Sequence, residues 1–247
     1  ICLGDSTTLS ATGATYYTWN GGSLVNQTGT SVSVSPTQTT TYTVVGQQPG
    51  QELVVNGDFQ AGKTGFTTQY QYTTTDLVPE GTYAVVDNPT PLHPAFLGSD
   101  HTTGNTNFMA VNGSVNPGFQ VWCQTVSVIP NTDYNFSTWI STLVVNSPAQ
   151  LEFSINGQLL GTPITAPGNL NTWTQFFATW NSGNDTLIEI CIVNANTAAG
   201  GNDFGLDDIS FTPVCTGTDS VVVVVNAPPT VTLGPDDSLC IGSSTLL

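Results

Sequence analysis

The stretch Cys215-Thr-Gly-Thr-Asp-Ser-Val-Val-Val-Val-Val225 is a β-branched run with turn formers in front and Asn226-Ala-Pro-Pro229 behind. That pattern reads as one buried strand. Its natural partners are not next to it. Ser31-Val-Ser-Val-Ser35 and Thr40-Thr-Tyr-Thr-Val-Val45 alternate with period two and lie far earlier in the chain. The stretch between them has the length and strand content of a second domain. The chain therefore reads as one small β-sandwich, split open, with a larger one inserted into it.

Composition agrees with an all-β reading. The 247 residues suffice for two β domains with cores of their own. No stretch carries a sustained helical apolar period, and Gly, Pro, Thr, Ser and Asn are abundant. The charge balance is extreme, with one Lys or Arg against 17 Asp plus Glu and a formal net charge of −16. Nucleic acid and anionic membrane surfaces both demand cationic side chains, and Lys63 alone supplies neither. So many unpaired carboxylates serve solubility, or some of them hold metal ions.

The five cysteines are Cys2, Cys123, Cys191, Cys215 and Cys240. None forms a Cys-x-x-Cys pair, and His93 and His101 are too few for a zinc site beside them. Dispersed cysteines in a Thr-rich β protein point to disulfides and an extracellular, oxidising setting. No apolar run reaches membrane-spanning length and no signal peptide is visible. The start at Ile1 without Met is expected of a fragment or a mature product.

Residues 1 to 46 give short strands. Asn20-Gly-Gly22 is a hairpin signal after Trp19. Trp19 and Tyr42 are placed like the core Trp and tyrosine corner of an immunoglobulin-like sandwich. Cys2-Leu-Gly-Asp-Ser-Thr-Thr-Leu9, Tyr17-Thr-Trp19 and Ser35-Pro-Thr-Gln-Thr-Thr-Thr-Tyr-Thr-Val44 together resemble the Ig-like or PKD-like repeats of large bacterial surface proteins. Those are the adhesins and gliding-associated proteins exported by the type IX route. Such repeats run from Tyr-Thr-Val into a Cys-bearing turn and a Val-rich strand. Here that ending arrives only at Cys215, so the departure is an insertion.

The inserted stretch opens with Glu52-Leu-Val-Val-Asn-Gly-Asp-Phe-Gln60 and closes with Asn202-Asp-Phe-Gly-Leu-Asp-Asp-Ile-Ser-Phe211. Those ends resemble the jelly-roll carbohydrate-binding modules of the xylan- and glucan-binding kind. Leu151, Phe153 and Ile155 alternate with Glu152 and Ser154, one face in and one out, before a hairpin at Asn156-Gly157. The expected domains are residues 1–47 plus 214–227 (split Ig-like) and 48–213 (inserted jelly roll). A linker at 228–239 and the start of a next Ig-like repeat at 240–247 follow. Cys240-Ile-Gly-Ser-Ser-Thr-Leu246 repeats the Cys2–Leu9 pattern, the mark of a repeat array.

Catalysis has little support in the sequence. Glu80, Asp100, Glu152 and Glu189 offer carboxylates, but nothing marks two as a pair. Both His lie in Pro- and Thr-rich stretches without a nucleophile signature. The chain is read as non-enzymatic. For calcium, the module resemblance implies an ion where first and last strands meet, on Asp58, Gln60 and one of Asp207 or Asp208. Gln60 stands where the family often has Glu. Adjacent strand residues face opposite ways, so one of the two aspartates is expected to face solvent.

A sugar site needs exposed aromatics beside hydrogen-bonding groups. Trp139 qualifies by parity with Asn135 and Ser137, and Tyr70 and Tyr72 lie on a Gln- and Thr-rich strand. Core packing is the competing role for each. Trp122 shares parity with Val126 and Val128 and is read as core. Cys2 is expected to pair with Cys215, each opening a strand of the split sandwich. Cys123 is expected to pair with Cys191, both projecting from outer faces, and Cys240 to find its partner beyond Leu247. Asp-Ser/Thr-aliphatic triplets resemble the O-glycosylation sites of the same surface proteins at Ser6, Thr186, Ser220 and Ser238.

The expectation is thus an extracellular structural and adhesive repeat of a long surface or filament protein, displaying a carbohydrate-binding-like jelly roll. Its partners are neighbouring repeats and glycans, with no nucleic acid and no membrane insertion. The alternatives are a carbohydrate-binding module appended to a secreted glycan-degrading enzyme, and a self-assembling fibre or sheath subunit.

Overall fold

The computed structural model describes residues 1–102, 106–232 and 241. Among the described residues the fold is all-β, with sixteen strands. The chain divides into two compact units, Ile1–Gln48 with Thr216–Leu247, and Pro49–Cys215.

The first unit contains β1 (Thr7–Ser10), β2 (Tyr16–Gly21), β3 (Leu24–Thr28), β4 (Ser31–Val34) and β5 (Thr40–Pro49). Val32 and Val34 of β4 are buried while Ser31 and Ser33 are exposed, as period two requires. Strand β1 pairs antiparallel with β4, placing Leu9 opposite Val32. Strand β2 pairs with β3 and with β5. Tyr17, Trp19 and Tyr42 pack between these two layers with Leu9, Val32 and Val34. The buried Trp19 indole N–H donates to the Gly29 carbonyl at 2.8 Å, so burying it leaves no unpaired donor. In the β2–β3 turn a Cβ on Gly22 (φ +58°) would sit 2.9 Å from the Tyr42 hydroxyl, so glycine is needed there.

The last strand, β16 (Phe204–Val223), serves both units in turn. Within the first unit it extends the sheet beyond β5. The Val run is not the fully buried strand its composition implies. Val223 joins the core, but Val221, Val222 and Val224 are exposed. At the edge of this small sheet there is too little structure to cover both faces.

Cys2 does not pair with Cys215; both are free and exposed. Cys2 bridges in parallel to Asn226, with Leu3 N–H donating to the Asn226 carbonyl at 3.2 Å. From Cys215 to Val223 the chain is extended strand, about 26 Å at a rise of ~3.3 Å per residue. A disulfide needs its Cα atoms within about 7 Å. Cys240 and Ser238 lie outside the described residues.

The second unit is a jelly-roll sandwich. Its strands are β6 (Gln71–Tyr72), β7 (Thr82–Val86), β8 (Phe108–Asn112), β9 (Gln120–Ser127) and β10 (Asp133–Thr142). There follow β11 (Gln150–Ile155), β12 (Gln158–Leu159), β13 (Ile164–Thr165), β14 (Trp173–Asn181) and β15 (Leu187–Asn194). One sheet runs β14-β10-β16-β8-β7-β6, and the other runs β12-β11-β15-β9 with β13 also on β11. Leu151, Phe153 and Ile155 of β11 are buried between them. They meet Trp122, Phe136, Phe176, Ile190, Phe204 and Phe211 in one core. Asn156 (φ +50°) and Gly157 (φ +74°) turn β11 into β12 in the left-handed conformation that these two residue types tolerate best.

Cys123 and Cys191 stand opposite each other on β9 and β15, with Cα atoms 4.2 Å apart, and form the disulfide. They are buried rather than on an open face, and the segment before β6 pairs alongside β9 at Cys123. Thr67 and Cys123 exchange backbone hydrogen bonds of 2.9 and 2.8 Å. The other side of the first sheet is also partly covered. Leu77, Phe96 and Leu143 pack on its outward Ala84, Phe108 and Ala110.

The unit's first and last segments are clamped together. Glu52 Oε1 accepts from Leu53, Val54 and Phe211 N–H at 3.0, 2.9 and 2.7 Å. Ile209 N–H donates to the Gly57 carbonyl at 3.0 Å, and a Cβ on Gly57 would overlap the Ile209 carbonyl oxygen.

Candidate functional site

Strand β10 alternates cleanly. Tyr134, Phe136 and Ile140 enter the core, while Asn135, Ser137 and Trp139 are half-buried on the outward face. Edge strand β14 does the same, with Phe176 in the core and Trp173, Gln175, Phe177 and Thr179 turned outward. The register sets Trp139 opposite Gln175 and Ser137 opposite Phe177. Phe177 is 57% exposed. The outward face of β10 and β14 thus offers aromatic rings interleaved with amides and hydroxyls.

His101, from the segment before β8, lies flat on Trp139, with ring centroids 3.9 Å apart and 16° between planes. It also meets Trp173 edge-on at 5.8 Å. Trp173 in turn packs edge-on against Phe108 at 5.9 Å. Trp139 is therefore on the outward face expected of it but shares that face with a histidine the sequence did not single out.

The acidic residues gather beside this stack. Asp58, Gln60, Asp207 and Asp208 line one cavity of about 240 Å³ together with Asp100, Thr102 and Thr106. The expectation that only one of Asp207 and Asp208 faces inward is corrected by a β-bulge. Ser137 pairs with Ser210 and Trp139 with Asp207, so Asp208 and Ile209 share the place opposite Thr138. Asp208 takes a left-handed φ of +48°. The extra residue breaks the alternation and brings both carboxylates to the same cavity.

Each carboxylate is oriented by donors. Asp207, 2% exposed, accepts from His101 N–H and Asp208 N–H, both at 2.9 Å. Asp208 Oδ2 takes the Thr102 hydroxyl at 2.6 Å and meets His101 Nδ1 at 2.8 Å. Asp100 accepts the Thr106 N–H at 3.1 Å and its hydroxyl at 2.8 Å. Gln60 Nε2 donates to the carbonyls of Asp58 and Asn107 at 2.7 and 3.0 Å. Burial pushes the Asp207 carboxyl up to about 7; the His101 and Asp208 N–H groups oppose that, and the charges of Asp208 and Asp100 add to it. No Lys or Arg lines the cavity. Lys63, the single cationic side chain of the sequence, stands over the Tyr72 ring at 4.4 Å.

The donor set fits a hard cation by chemistry, being carboxylates, an amide oxygen and hydroxyls. Among the described residues, no three of these carboxylates bring ligand atoms within 4.8 Å of one another. Among the described residues, only Cys123, Glu189 and Cys191 place three ligand atoms within 4.8 Å, and those sulfurs are spent in the disulfide.

Tyr70 and Tyr72 are not sugar platforms. Tyr70 is 4% exposed, packs in the core and accepts the Ser114 N–H at 3.1 Å. Tyr72 packs against the same core, touches Tyr83, and has Lys63 over its ring. Both precede or sit on β6, at the edge of the sheet far from β14. Ser6, Thr186 and Ser220 are exposed.

Asp100, His101, Thr102 and Thr106 were missed because they come from an irregular segment, where no period predicts direction. Phe177 was legible, since period two through Phe176–Trp180 separates it from the core residue Phe176.

No family model and no curated protein sequence matches the chain. Solved structures with a related fold do. One is the CBM22-1 xylan-binding domain of Paenibacillus barcinonensis Xyn10C, at 13% identity over 63% of this chain and 90% of that one, TM-score 0.42. A family 16 carbohydrate-binding module aligns at 17% identity over 64% and 98%, TM-score 0.39. A Stig cyclase from Fischerella aligns at 13% identity over 66% and 97%, TM-score 0.46. These proteins differ in what they do, so function has to rest on the residues of this chain.

Proposed function

We propose that the chain is an extracellular structural and adhesive repeat whose second unit binds neutral glycan on the outward face of β10 and β14. The observation that carries this is the set of Trp139, Trp173 and Phe177 turned away from the core, with Gln175, Ser137 and Asn135 between them. Aromatic faces stack on the apolar faces of sugar rings, and amides and hydroxyls read their hydroxyl groups. The formal charge of −16 disfavours uronic or sulfated polymers by repulsion. The buried disulfide agrees with an oxidising compartment. No described helix is long and apolar enough to cross a membrane.

The first unit, with Trp19 and Tyr42 in its core, serves as an Ig-like spacer in a surface array of the type IX kind. Its partners are the neighbouring repeats. Calcium is the proposed cofactor, held by Asp58, Gln60, Asp100, Asp207 and Asp208. Bound there, it would offset part of the carboxylate charge and fasten the unit's first segment to β16.

The experiment is retention on immobilised neutral and acidic polysaccharides by affinity electrophoresis. Retardation by a neutral polymer that is lost in Trp139→Ala and weakened in Phe177→Ala supports the reading. Absence of retardation on every polymer, in calcium, overturns it.

A further inference from the structure

A second oxygen-lined position lies away from the cavity of Asp207, where β8 ends beside the start of β16. Phe204 pairs with Val111 and Gly205 with Ala110. One step further along the ladder, Asn112 and Asp203 come side by side, and Gly113 N–H donates to Asp203 Oδ1 at 3.3 Å. Val111 and Phe204 enter the core, so period two turns Asn112 and Asp203 to the opposite face. Both are nevertheless buried, at 4% and 6% exposure.

The Asn112 amide is fixed. Its Nδ2 donates to the Leu77 and Val78 carbonyls at 2.7 and 3.0 Å. Flipping the amide would set its oxygen against those two carbonyls, so the orientation is decided by the network. Leu77 and Val78 belong to the turn leading into β7, on one side of β8. Oδ1 therefore points to the other side, where β16 and Asp203 lie. That oxygen is buried and has no hydrogen-bond partner among the described residues. Leaving such an acceptor unpaired is unfavourable.

Asn112 Oδ1 and Asp203 thus leave two buried acceptors on neighbouring strands, a pairing that a cation or a shared proton would satisfy. Glu80 is the chain neighbour of Gly81, whose N–H donates to the Asn112 carbonyl at 3.1 Å. Its charge acts on Asp203, whose carboxyl is pushed up to about 7, first by burial and further by Glu80, against the Gly113 N–H. Glu80 is exposed.

We propose that Asp203, Asn112 Oδ1 and Glu80 form a second divalent-cation site, for calcium, in the jelly-roll unit. All its donors are hard oxygens, one of them a neutral carbonyl-type oxygen and two of them carboxylates, the mixture calcium takes. Water completes the coordination on the Glu80 side. The ion supplies the missing partner of Asn112 and joins the β7 turn, β8 and β16 at one end of the sandwich.

The test is calcium titration of the whole chain by calorimetry, in three forms. Asp207→Asn with Asp208→Asn removes the first cavity's charge. Adding Asp203→Asn and Glu80→Gln removes that of the second. The proposal expects the double variant to keep one calcium, and the quadruple variant to lose it or bind it about tenfold or more weakly. Asp203→Asn carries its own N–H donor for Asn112, so folding survives the substitution. A double variant that binds no calcium overturns the proposal. So does a double variant whose stability is indifferent to calcium and loses its pH dependence with Asp203→Asn alone, because a proton on Asp203 then bridges the pair.

Discussion

The imidazole of His101 lies on the indole of Trp139 at 3.9 Å while its Nδ1 reaches Asp208 Oδ2 at 2.8 Å. One side chain thereby joins the aromatic face to the acidic cavity. The Asp208 bulge makes this contact, because it turns a second carboxylate toward the segment carrying His101. Sugar stacking on Trp139 and cation binding at Asp208 are consequently expected to influence each other.

Trp139 lies outside the core cluster, so Trp139→Ala should cost little stability, well under the ~3–5 kcal/mol of a core Trp deletion. Trp122→Ala, in the middle of the core, should cost the full amount. Urea denaturation of the two variants checks the contrast. Equal losses would make Trp139 a packing residue and remove the glycan face.

Calcium should raise the melting temperature of the second unit, by about 2.7 kcal/mol of stability at a hundredfold excess over its dissociation constant. Magnesium should do so less, since a site of many protein oxygens suits the larger ion. Asp207→Asn with Asp208→Asn should remove the larger part of the effect. Identical scanning-calorimetry traces in chelator and in calcium would leave the cavity a cluster of carboxylates that holds no calcium.

In chelator, stability should fall as pH rises from about 4 to about 7 and then level off. The Asp207 and Asp203 carboxyls hold protons up to about 7 when folded, against the ordinary 3.8 when unfolded. Between those values the folded chain binds more protons, so raising pH favours unfolding. Urea midpoints across that range check it, and Asp207→Asn should flatten part of the slope. A slope of the opposite sign would contradict the burial of both groups.

A thiol reagent applied without reductant should modify Cys2 and Cys215, which are free and exposed, and spare Cys123 and Cys191. Peptide masses read the result directly. Reducing the Cys123–Cys191 bond, which closes a loop across 68 residues, should cost about 2–4 kcal/mol. A Cys2–Cys215 peptide pair would contradict the strand course that puts Cys2 beside Asn226.

Much of this protein is set by local rules. Period two placed Leu151, Phe153 and Ile155 inside and Trp139 outside, because successive strand side chains alternate whatever the fold. The parity of Cys123 and Cys191 gave their pairing for the same reason. Asn156-Gly157 fixed its hairpin through backbone conformations that few other residues accept. Composition gave the expectation of no nucleic-acid partner, because one Lys cannot neutralise a phosphate backbone.

What escaped the sequence were the relations that need a third dimension. The bulge at Asp208 breaks the alternation that assigned one aspartate to solvent, and nothing in Leu206-Asp-Asp-Ile209 marks the extra residue. Tyr70 looked like a platform until the fold put it at the edge of the core, and Cys2 lies beside Asn226 because the strand ladder runs that way. His101 and Asp100 come from an irregular segment whose direction only packing decides. Local alternation follows from backbone stereochemistry and is written into each strand, whereas a site assembled from loops and a bulge exists only once distant segments have docked.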